Sequence, residues 1–255
     1  MNPSGNTILI TGGGSGIGRG LAESFHALGN QVIIAGRRQQ ALDETTAANP
    51  GMKSLQLEIE HRAPIRAFAA QVIEKFPSLN VLISNAGIMR AENFLDQQPD
   101  LADAESVIAT NLLGPIRLTA ALLPHLQDQS HAAIINVSSG LAFMPRARTP
   151  TYCATKAALH SYTLSLRAQL RGTSVEVLEL IPPYVATDLM DGAKNPRAMP
   201  LNKFISEAME ILKTQPTPPE ICVENVKTFR FAAESGDFDT IFARFNAPVA
   251  DRERP

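Results

Sequence analysis

The sequence predicts an α/β fold, a doubly wound parallel sheet of about six strands with helices on both faces. Short β-rich runs alternate with longer segments of helical periodicity, a pattern that predicts right-handed βαβ crossovers. The predicted strands lie at 7–11, 31–35, 54–59, 81–84, 133–138 and 175–180. The predicted helices lie near 17–28, 39–47, 65–76, 101–126 and 151–170.

The pattern changes after Ile181, where seven prolines interrupt the chain before residue 220. We interpret 188–218 as a flap containing a helix at about 201–212, followed by a helical tail at 219–246. In that tail 220–234 is predicted to be helical, and 239–245 forms a short amphipathic helix presenting Ile241, Phe242 and Phe245. No seventh strand is predicted. We expect residues 1–255 to form a single domain.

The composition excludes several classes of protein. Hydrophobic residues make up 44% of the 255 residues, and the formal net charge is -2, which gives no basic surplus to attract nucleic acid. The two cysteines, Cys153 and Cys222, fit neither a disulfide framework nor a zinc site, and the five histidines have no metal-ligand spacing. His160 is expected to be a packed or interface residue. Without a secretory leader or a long apolar run, we expect a cytoplasmic protein with no metal and no membrane partner.

A glycine-rich loop follows the first predicted strand and opens a helix. Such a loop turns sharply and brings backbone N–H groups, with the positive end of the helix dipole, towards a pyrophosphate. The alternative is a tight turn without a ligand, and a Walker A loop is excluded because no Gly-Lys-Ser/Thr follows. The loop residues predicted to bind a dinucleotide are Gly12, Gly14, Ser15, Gly16, Ile17 and Gly18.

The end of the second strand indicates which dinucleotide is preferred. The chain has Arg37 and Arg38 at the place where an acidic residue would bind the ribose of NAD. Because arginine pairs with phosphate through two charged hydrogen bonds, these residues favour NADP over NAD. The alternative is that both are solvated surface charges. Ser15 stands where a basic residue would strengthen the preference for NADP.

Tyr152 and Lys156 are four residues apart on a predicted helix, so their side chains project from one face. Ser138 and Ser139 lie at the carboxyl end of the fifth strand, where open α/β sheets bind ligands. A phenol can give a proton to the alkoxide formed by hydride transfer, and a nearby ammonium would lower its pKa from about 10. A serine hydroxyl can orient the carbonyl. Taken alone, a Tyr/Lys pair at this spacing is more often part of a solvated helix face.

Together these motifs resemble the short-chain dehydrogenase/reductase family. The resemblance spans 7 to about 190 and rests on Thr11-Gly12-x-x-x-Gly16-Ile17-Gly18, Asn85-Ala86-Gly87, Asn111, Ser139 and Tyr152-x-x-x-Lys156. It implies a single-domain Rossmann fold with Tyr152 as acid/base, Lys156 as its partner and a ligand of the nicotinamide ribose, Ser139 as substrate orienter and Asn111 as holder of a relay water. It also implies that the cofactor contacts Glu58, Ile59, Asn85, Ala86, Gly87, Val185 and Thr187.

The chain departs from the family pattern at three places. Glu58 replaces the usual aspartate after the third strand, and Pro182-Pro183 replaces Pro-Gly after the sixth, which removes a backbone N–H. The C-terminal strand used in tetramer assembly is not predicted, so we expect a homodimer, with a tetramer as the alternative. The Pro-Pro step and the helical tail resemble the bacterial DltE-like branch.

The expected activity is reversible hydride transfer between NADP(H) and a small or medium secondary alcohol, ketone or aldehyde. One alternative is a regulatory or scaffold protein that binds NADP without turnover, which would be expected to have lost Ser139, Tyr152 or Lys156. A sugar-nucleotide epimerase is a weaker alternative, because the chain has little room for a larger substrate domain. Arg90, Arg146 and Arg148 suggest an acidic substrate, although loop arginines are usually solvated.

Overall fold

A computed structural model of the chain describes residues 1–95 and 101–247. It contains one sheet of seven parallel strands in the order β3-β2-β1-β4-β5-β6-β7. The strands are β1 (Thr7–Thr11), β2 (Gln31–Gly36), β3 (Lys53–Gln56), β4 (Leu79–Ser84), β5 (Ala132–Val137), β6 (Val175–Ile181) and β7 (Glu220–Cys222). The doubly wound α/β fold is confirmed, and the strand order reverses between β1 and β4, where such sheets bind ligands.

The central strands are buried on both faces, which is why they are rich in aliphatic residues rather than alternating with polar ones. All six residues of β5 are buried, and Ile8, Leu9 and Ile10 of β1 are fully inaccessible. Ile8 and Ile10 belong to the core cluster on one face of the sheet, and Leu9 belongs to the cluster on the other. The two cores hold the strand ends in a fixed register.

Helices cover both faces of the sheet. They are α1 (Gly16–Ala27), α2 (Gln39–Ala48), α3 (Arg62–Lys75), α4 (Ala102–Ile108), a π-helical turn (Ala109–Leu113), α5 (Gly114–Gln127), α6 (Pro150–Gln169), α7 (Leu201–Lys213), α8 (Glu224–Arg230), α9 (Ala232–Ser235) and α10 (Phe238–Asn246). Short 3-10 helices lie at Gly140–Ala142 and Leu189–Lys194.

The run from α4 to α5 is continuous and apolar. Ala102–Gln127 is 26 residues long and contains an 18-residue stretch with a mean hydropathy of 1.4, enough by length and composition alone to cross a membrane. Within this fold the run packs against α3, α6 and the sheet, and Leu118, Leu122 and Leu126 are fully buried there. The run therefore belongs to the core on the face of the sheet that includes Leu9.

The prediction of six strands and a helix at 220–234 was wrong in one respect. Glu220–Cys222 forms β7, which pairs with β6 at the edge of the sheet, and the helix begins only at Glu224. Three residues are too few to show a strand periodicity, and the ladder depends on a partner far away in sequence. The third strand also ends at Gln56 rather than 59, because its partner β2 ends at Gly36.

The predicted flap is structurally divided. Its helix α7 packs on α1 so closely that a Cβ at Gly20 would lie 2.7 Å from Cγ1 of Ile205. Phe204 and Ala208 of α7 are fully buried. Only the part before α7 faces the crevice at the strand ends.

Candidate active site

A cavity of about 1240 Å³ opens at the carboxyl ends of the strands. Ligand pockets for drug-sized molecules commonly measure about 300–1,000 Å³, so this cavity has room for a dinucleotide and a small substrate together. It has three parts, which are the glycine-rich loop after β1, a reaction centre between β5 and α6, and an end covered by the C-terminal helices.

The glycine-rich loop is fastened to the loop after β4. The Thr11 hydroxyl accepts hydrogen bonds from the backbone N–H groups of Asn85 and Ala86 at 3.0 and 3.1 Å, and Asn85 Nδ2 donates to Thr11 O at 2.9 Å. A Cβ at Gly12, whose φ is +70°, would lie 2.8 Å from Asn85 Nδ2, and one at Gly18 would lie 2.3 Å from Gly12 O. Glycine is therefore required at both positions.

The loop fits a pyrophosphate group. Gly12, Gly14, Ser15, Gly16 and Ile17 line the cavity, while Gly18 does not line it and packs against Gly12 and Asn85. The helix α1 begins at Gly16, so its first backbone N–H groups have no intrahelical partner and its dipole favours an anion there. These residues would hold the phosphates of a bound dinucleotide.

Two arginines lie beside the loop, at the end of β2. Arg37 and Arg38 are exposed and line the cavity, and Arg38 Nη2 donates to Ser15 Oγ at 3.1 Å. Among the residues the structure describes, no carboxylate forms an ion pair with either guanidinium. Both remain available to a phosphate, and Ser15 contributes by orienting Arg38.

The remaining predicted nucleotide residues divide into two groups. Ile59, Asn85, Ala86 and Gly87 line the cavity, as does the neighbouring Leu57. Glu58 is exposed and does not line the cavity, because side chains alternate along this segment and those of Leu57 and Ile59 are buried. The role of Glu58 stays a prediction.

The loop after β6 carries the last two predicted cofactor residues. Val185 and Thr187 both line the cavity, together with Pro182 and Pro183. The loop is held in place by backbone hydrogen bonds from Ala186 N to Met199 O at 2.9 Å and from Met199 N to Tyr184 O at 2.8 Å. The loop beside the reaction centre is therefore ordered, although Pro183 lacks a backbone N–H.

Ser139, Tyr152 and Lys156 come together on the cavity wall and are all nearly inaccessible. Their exposed fractions are 8%, 6% and 4%. Lys156 Nζ lies 5.7 Å from the centre of the Tyr152 ring and donates a hydrogen bond to Val137 O at 2.8 Å. The Ser139 hydroxyl accepts from Leu141 N at 3.1 Å, which fixes its position at the end of β5.

The pKa of Tyr152 differs from the sequence-based expectation. Burial raises it to about 12, a hydrogen bond with Ser139 acts in the opposite direction, and the Cys153 thiol raises it slightly. The expected lowering by Lys156 is absent, because the loss of hydration around the phenol dominates and the ammonium is held by Val137 O. At neutral pH the phenol therefore keeps its proton, the state required of a donor.

Burial also lowers the pKa of Lys156. The loss of hydration lowers its pKa to about 8, and the carboxylate of Glu179 on β6 opposes that change. Glu179 is 0% exposed, and its Oε2 forms a hydrogen bond with His160 Nδ1 at 2.8 Å. No sequence motif pointed to Glu179, since it lies within an otherwise apolar strand.

Asn111 lies in the π-helical turn between α4 and α5, a distortion often found at functional sites. Its Oδ1 accepts from Ile88 N at 2.9 Å, and its Nδ2 donates to Ile88 O at 2.8 Å and to Thr155 Oγ1 at 3.4 Å. The side chain is thus committed to protein groups and does not line the cavity. A relay water at Asn111 would have to be held by its main-chain carbonyl.

The C-terminal helices complete the cavity in a way that sequence reasoning missed. Asn225 and Phe229 of α8 and Ile241, Arg244 and Phe245 of α10 all line it. The predicted amphipathic face at 239–245 was a partial signal, because Ile241 and Phe245 lie on that face. Nothing in the sequence indicated that this face would cover the crevice rather than another part of the surface.

One group of potential metal ligands lies behind the site. Ligand atoms of His160, Glu179 and Glu220 lie within 4.8 Å of one another, although the sequence predicted no metal site. Both oxygens of Glu220 already accept hydrogen bonds from Arg230, at 2.7 and 3.0 Å. The group is therefore an ion-pair cluster in which Arg230 supplies the positive charge.

Comparison with known proteins identifies relatives of this chain. Residues 6–198 match the family described as short chain dehydrogenase. The chain is 39% identical over 251 residues to the uncharacterized oxidoreductase DltE of Bacillus subtilis (strain 168), covering 96% of this chain and 98% of that protein. The resemblance to the DltE-like branch is thereby confirmed.

Two further relatives have names that state an activity. The chain is 33% identical over 183 residues to the NADP-dependent 3-hydroxy acid dehydrogenase YdfG of Shigella flexneri, covering 70% of this chain and 72% of that protein. It also matches the closed form of serine dehydrogenase complexed with NADP+, with a TM-score of 0.74 and 27% identity, covering 81% of this chain and 89% of that one.

Proposed function

The chain belongs to the short chain dehydrogenase family and is an NAD(P)-dependent oxidoreductase, and from this premise we propose that it reduces ketones or aldehydes and oxidises secondary alcohols, with NADP(H) preferred. The substrate is a small or medium molecule. The single observation that supports the proposal most is the buried group of Ser139, Tyr152 and Lys156 on the wall of a cavity whose other end is a phosphate-binding loop.

The protein's own part in the reaction is to hold the carbonyl and to move one proton. The Ser139 hydroxyl orients the carbonyl oxygen beside the phenol, and Tyr152 gives its hydroxyl proton to that oxygen as the alcohol forms. When the alcohol is oxidised, Tyr152 receives the proton back. Lys156, as an ammonium, stabilises the negative charge shared by the phenolate and the developing alkoxide.

Bound NADPH supplies the hydride that the carbonyl carbon receives, and NADP+ is the product. Gly12, Gly14, Ser15, Gly16 and Ile17 would hold the phosphates, and Lys156 would bind the nicotinamide ribose. Arg37 and Arg38 would bind the phosphate on the adenine ribose, which is our reason for preferring NADP. The NADP-dependent relative and the NADP+ complex of a structural neighbour support this choice.

The assembly we propose is a homodimer formed by the helices that carry Asn111 and Tyr152. Ile108, Leu113 and Leu164 lie on these helices and are each about 40% exposed. Pairing two copies through them would bury these three apolar side chains, none of which lines the cavity.

The test of the proposed function is a substrate panel followed by nicotinamide absorbance. Purified protein is mixed with NADPH or NADH and with ketones and aldehydes of increasing size. We expect oxidation that depends on the added carbonyl compound and is faster with NADPH. Tight NADPH binding without turnover of any compound would instead support the regulatory alternative, and no binding of either nucleotide would contradict both.

A further inference from the structure

The lining of the cavity carries more positive than negative side chains. Asp188 is the one carboxylate among the lining residues that the structure describes, against six basic side chains. Two of the six are assigned above to the nucleotide, one is Lys156, and Arg197 already has an interaction partner. The six basic lining residues are Arg37, Arg38, Arg146, Lys156, Arg197 and Arg244.

Arg146 and Arg244 are therefore the lining cations without an assigned role. In the part of the chain that the structure describes, neither guanidinium forms an ion pair or a side-chain hydrogen bond. Other arginines of the chain are satisfied by carboxylates, such as Arg19 by Glu23 at 2.8 Å. Two positive groups that face one cavity without a counter-ion favour the binding of an anion there.

The two arginines are held together although they are far apart in sequence. Asn246, two residues after Arg244, accepts a hydrogen bond from Ala147 N at 2.7 Å and donates one to Pro145 O at 3.1 Å. These two bonds flank Arg146 on both sides. The helix α10 and the loop before α6 are thus joined close to both arginines, and both arginines line the same cavity.

The same loop is also fastened to the reaction centre. The backbone N–H of Arg146 donates to Cys153 Sγ at 3.2 Å, and Cys153 directly follows Tyr152. An arginine side chain extends only a few bonds from this anchor. An anionic group bound there would therefore belong to the same small molecule whose carbonyl lies at Tyr152 and Ser139.

We propose that Arg146 and Arg244 form a carboxylate subsite, so that the substrate is a short hydroxy acid and its product the corresponding keto acid. The inference rests on the proposed function and specifies its substrate class. Arginine is suited to this task because its planar fork gives two parallel hydrogen bonds to a carboxylate. The apolar residues Phe229, Ile241 and Phe245 also line the cavity and would contact the remaining part of the substrate.

The test compares an acid with its uncharged ester. We would measure kcat/KM with NADP+ for 3-hydroxybutanoate and methyl 3-hydroxybutanoate in the wild type, in Arg146→Met and Arg244→Met, and in Arg148→Met. Methionine keeps the apolar stem and removes the charge. Arg148 is the matched control, since it is an exposed arginine on the same loop that does not line the cavity.

We expect the wild type to prefer the acid by about tenfold or more. The ratio of acid to ester should fall by about 10- to 100-fold in Arg146→Met and Arg244→Met, mainly through KM, because each loses one charge-assisted contact. Arg148→Met should keep the ratio within about twofold. Equal use of acid and ester by the wild type, or an equal loss in Arg148→Met, would overturn the inference.

Failure of the proposed function can be told apart from failure of the subsite. If neither compound is turned over, calorimetric titration of the NADP+-saturated protein with butanoate and with butanamide decides the matter. Binding of butanoate alone, lost in Arg146→Met, supports the subsite even without turnover. Absent butanoate binding, or binding unchanged by the substitution, rejects it.

Discussion

The charged residues of the reaction centre are buried, whereas those on the rim beside the glycine-rich loop are exposed. Lys156 and Glu179 are 4% and 0% exposed, whereas Arg37 and Arg38 are exposed to solvent. A buried charge acts through a low effective dielectric and changes the protonation of its neighbours, while an exposed one is screened within about 10 Å at 0.1 M salt. The buried end should therefore control the rate, and the exposed rim the choice of cofactor.

Replacement of the phenol should give the largest effect. In Tyr152→Phe we expect kcat to fall by about 10²- to 10⁴-fold, the range for loss of a general acid, with NADPH affinity within a few-fold of the wild type. Steady-state rates and fluorescence titration with NADPH would measure both. Undiminished turnover in this variant would remove Tyr152 from the role of proton donor.

The pH profile should report Lys156. Burial lowers its pKa to about 8, so its ammonium is present below that pH and is lost as the pH rises through it. Tyr152, with a pKa raised to about 12, stays protonated over the same range. Carbonyl reduction should therefore slow above about pH 8.

Lys156→Met is the control for that profile. We expect it to be about 10- to 100-fold slower than the wild type at pH 7 and to lack the decline near pH 8. A decline of the same shape in this variant would mean that another group titrates.

Substitution at the exposed rim should change the choice of cofactor and little else. In Arg38→Met we expect the ratio of kcat/KM for NADPH to that for NADH to fall by about tenfold, since one charge-assisted contact with phosphate is lost. The maximal rate with saturating NADPH should be nearly unchanged. Arg62→Met, which removes an exposed arginine outside the cavity wall, is the matched control. Equal ratios in all three proteins would contradict the assignment of the rim.

The smallest predicted effect comes from Glu179. Its carboxylate opposes the lowering of the Lys156 pKa, so Glu179→Gln should move the decline in reduction rate to lower pH. Glutamine keeps an oxygen that can bond His160, and thermal unfolding would check that the fold is retained. A profile unchanged from that of the wild type would show that Glu179 does not act on Lys156.

The glycine-rich loop and the reaction centre could be predicted from the sequence more fully than the C-terminal tail. The glycine-rich loop, the Tyr152/Lys156 pair and Ser139 follow directly from strands and helices with strong local patterns, and the structure brings them to one cavity. The chemistry of each residue type and the rule for strand ends indicated these residues, and the resemblance to the family implied their roles. The pKa of Tyr152 was predicted in the wrong direction, because its burial depends on neighbours that spacing does not reveal.

The tail could not be predicted to the same depth. The strand β7 has three residues, and it exists because β6 offers a free edge to a segment 41 positions later in the chain, with Glu179 opposite Glu220 and Ile181 opposite Cys222.

 Such long-range pairing leaves no local periodicity for the sequence to display. The same holds for α10, which is fixed over the cavity by the hydrogen bonds of Asn246 to the loop at 145–147. Its amphipathic face predicted that it packs, but not the surface on which it packs.

The most direct test of the central claim follows the hydrogen that the reaction transfers. NADPH carrying deuterium at both hydride positions of the nicotinamide is mixed with the protein and a ketone that it reduces, and the alcohol is examined by mass spectrometry. We predict one deuterium on the carbinol carbon of the product, formed quickly by the wild type and far more slowly by Tyr152→Phe. Product alcohol without deuterium would contradict hydride transfer at this site.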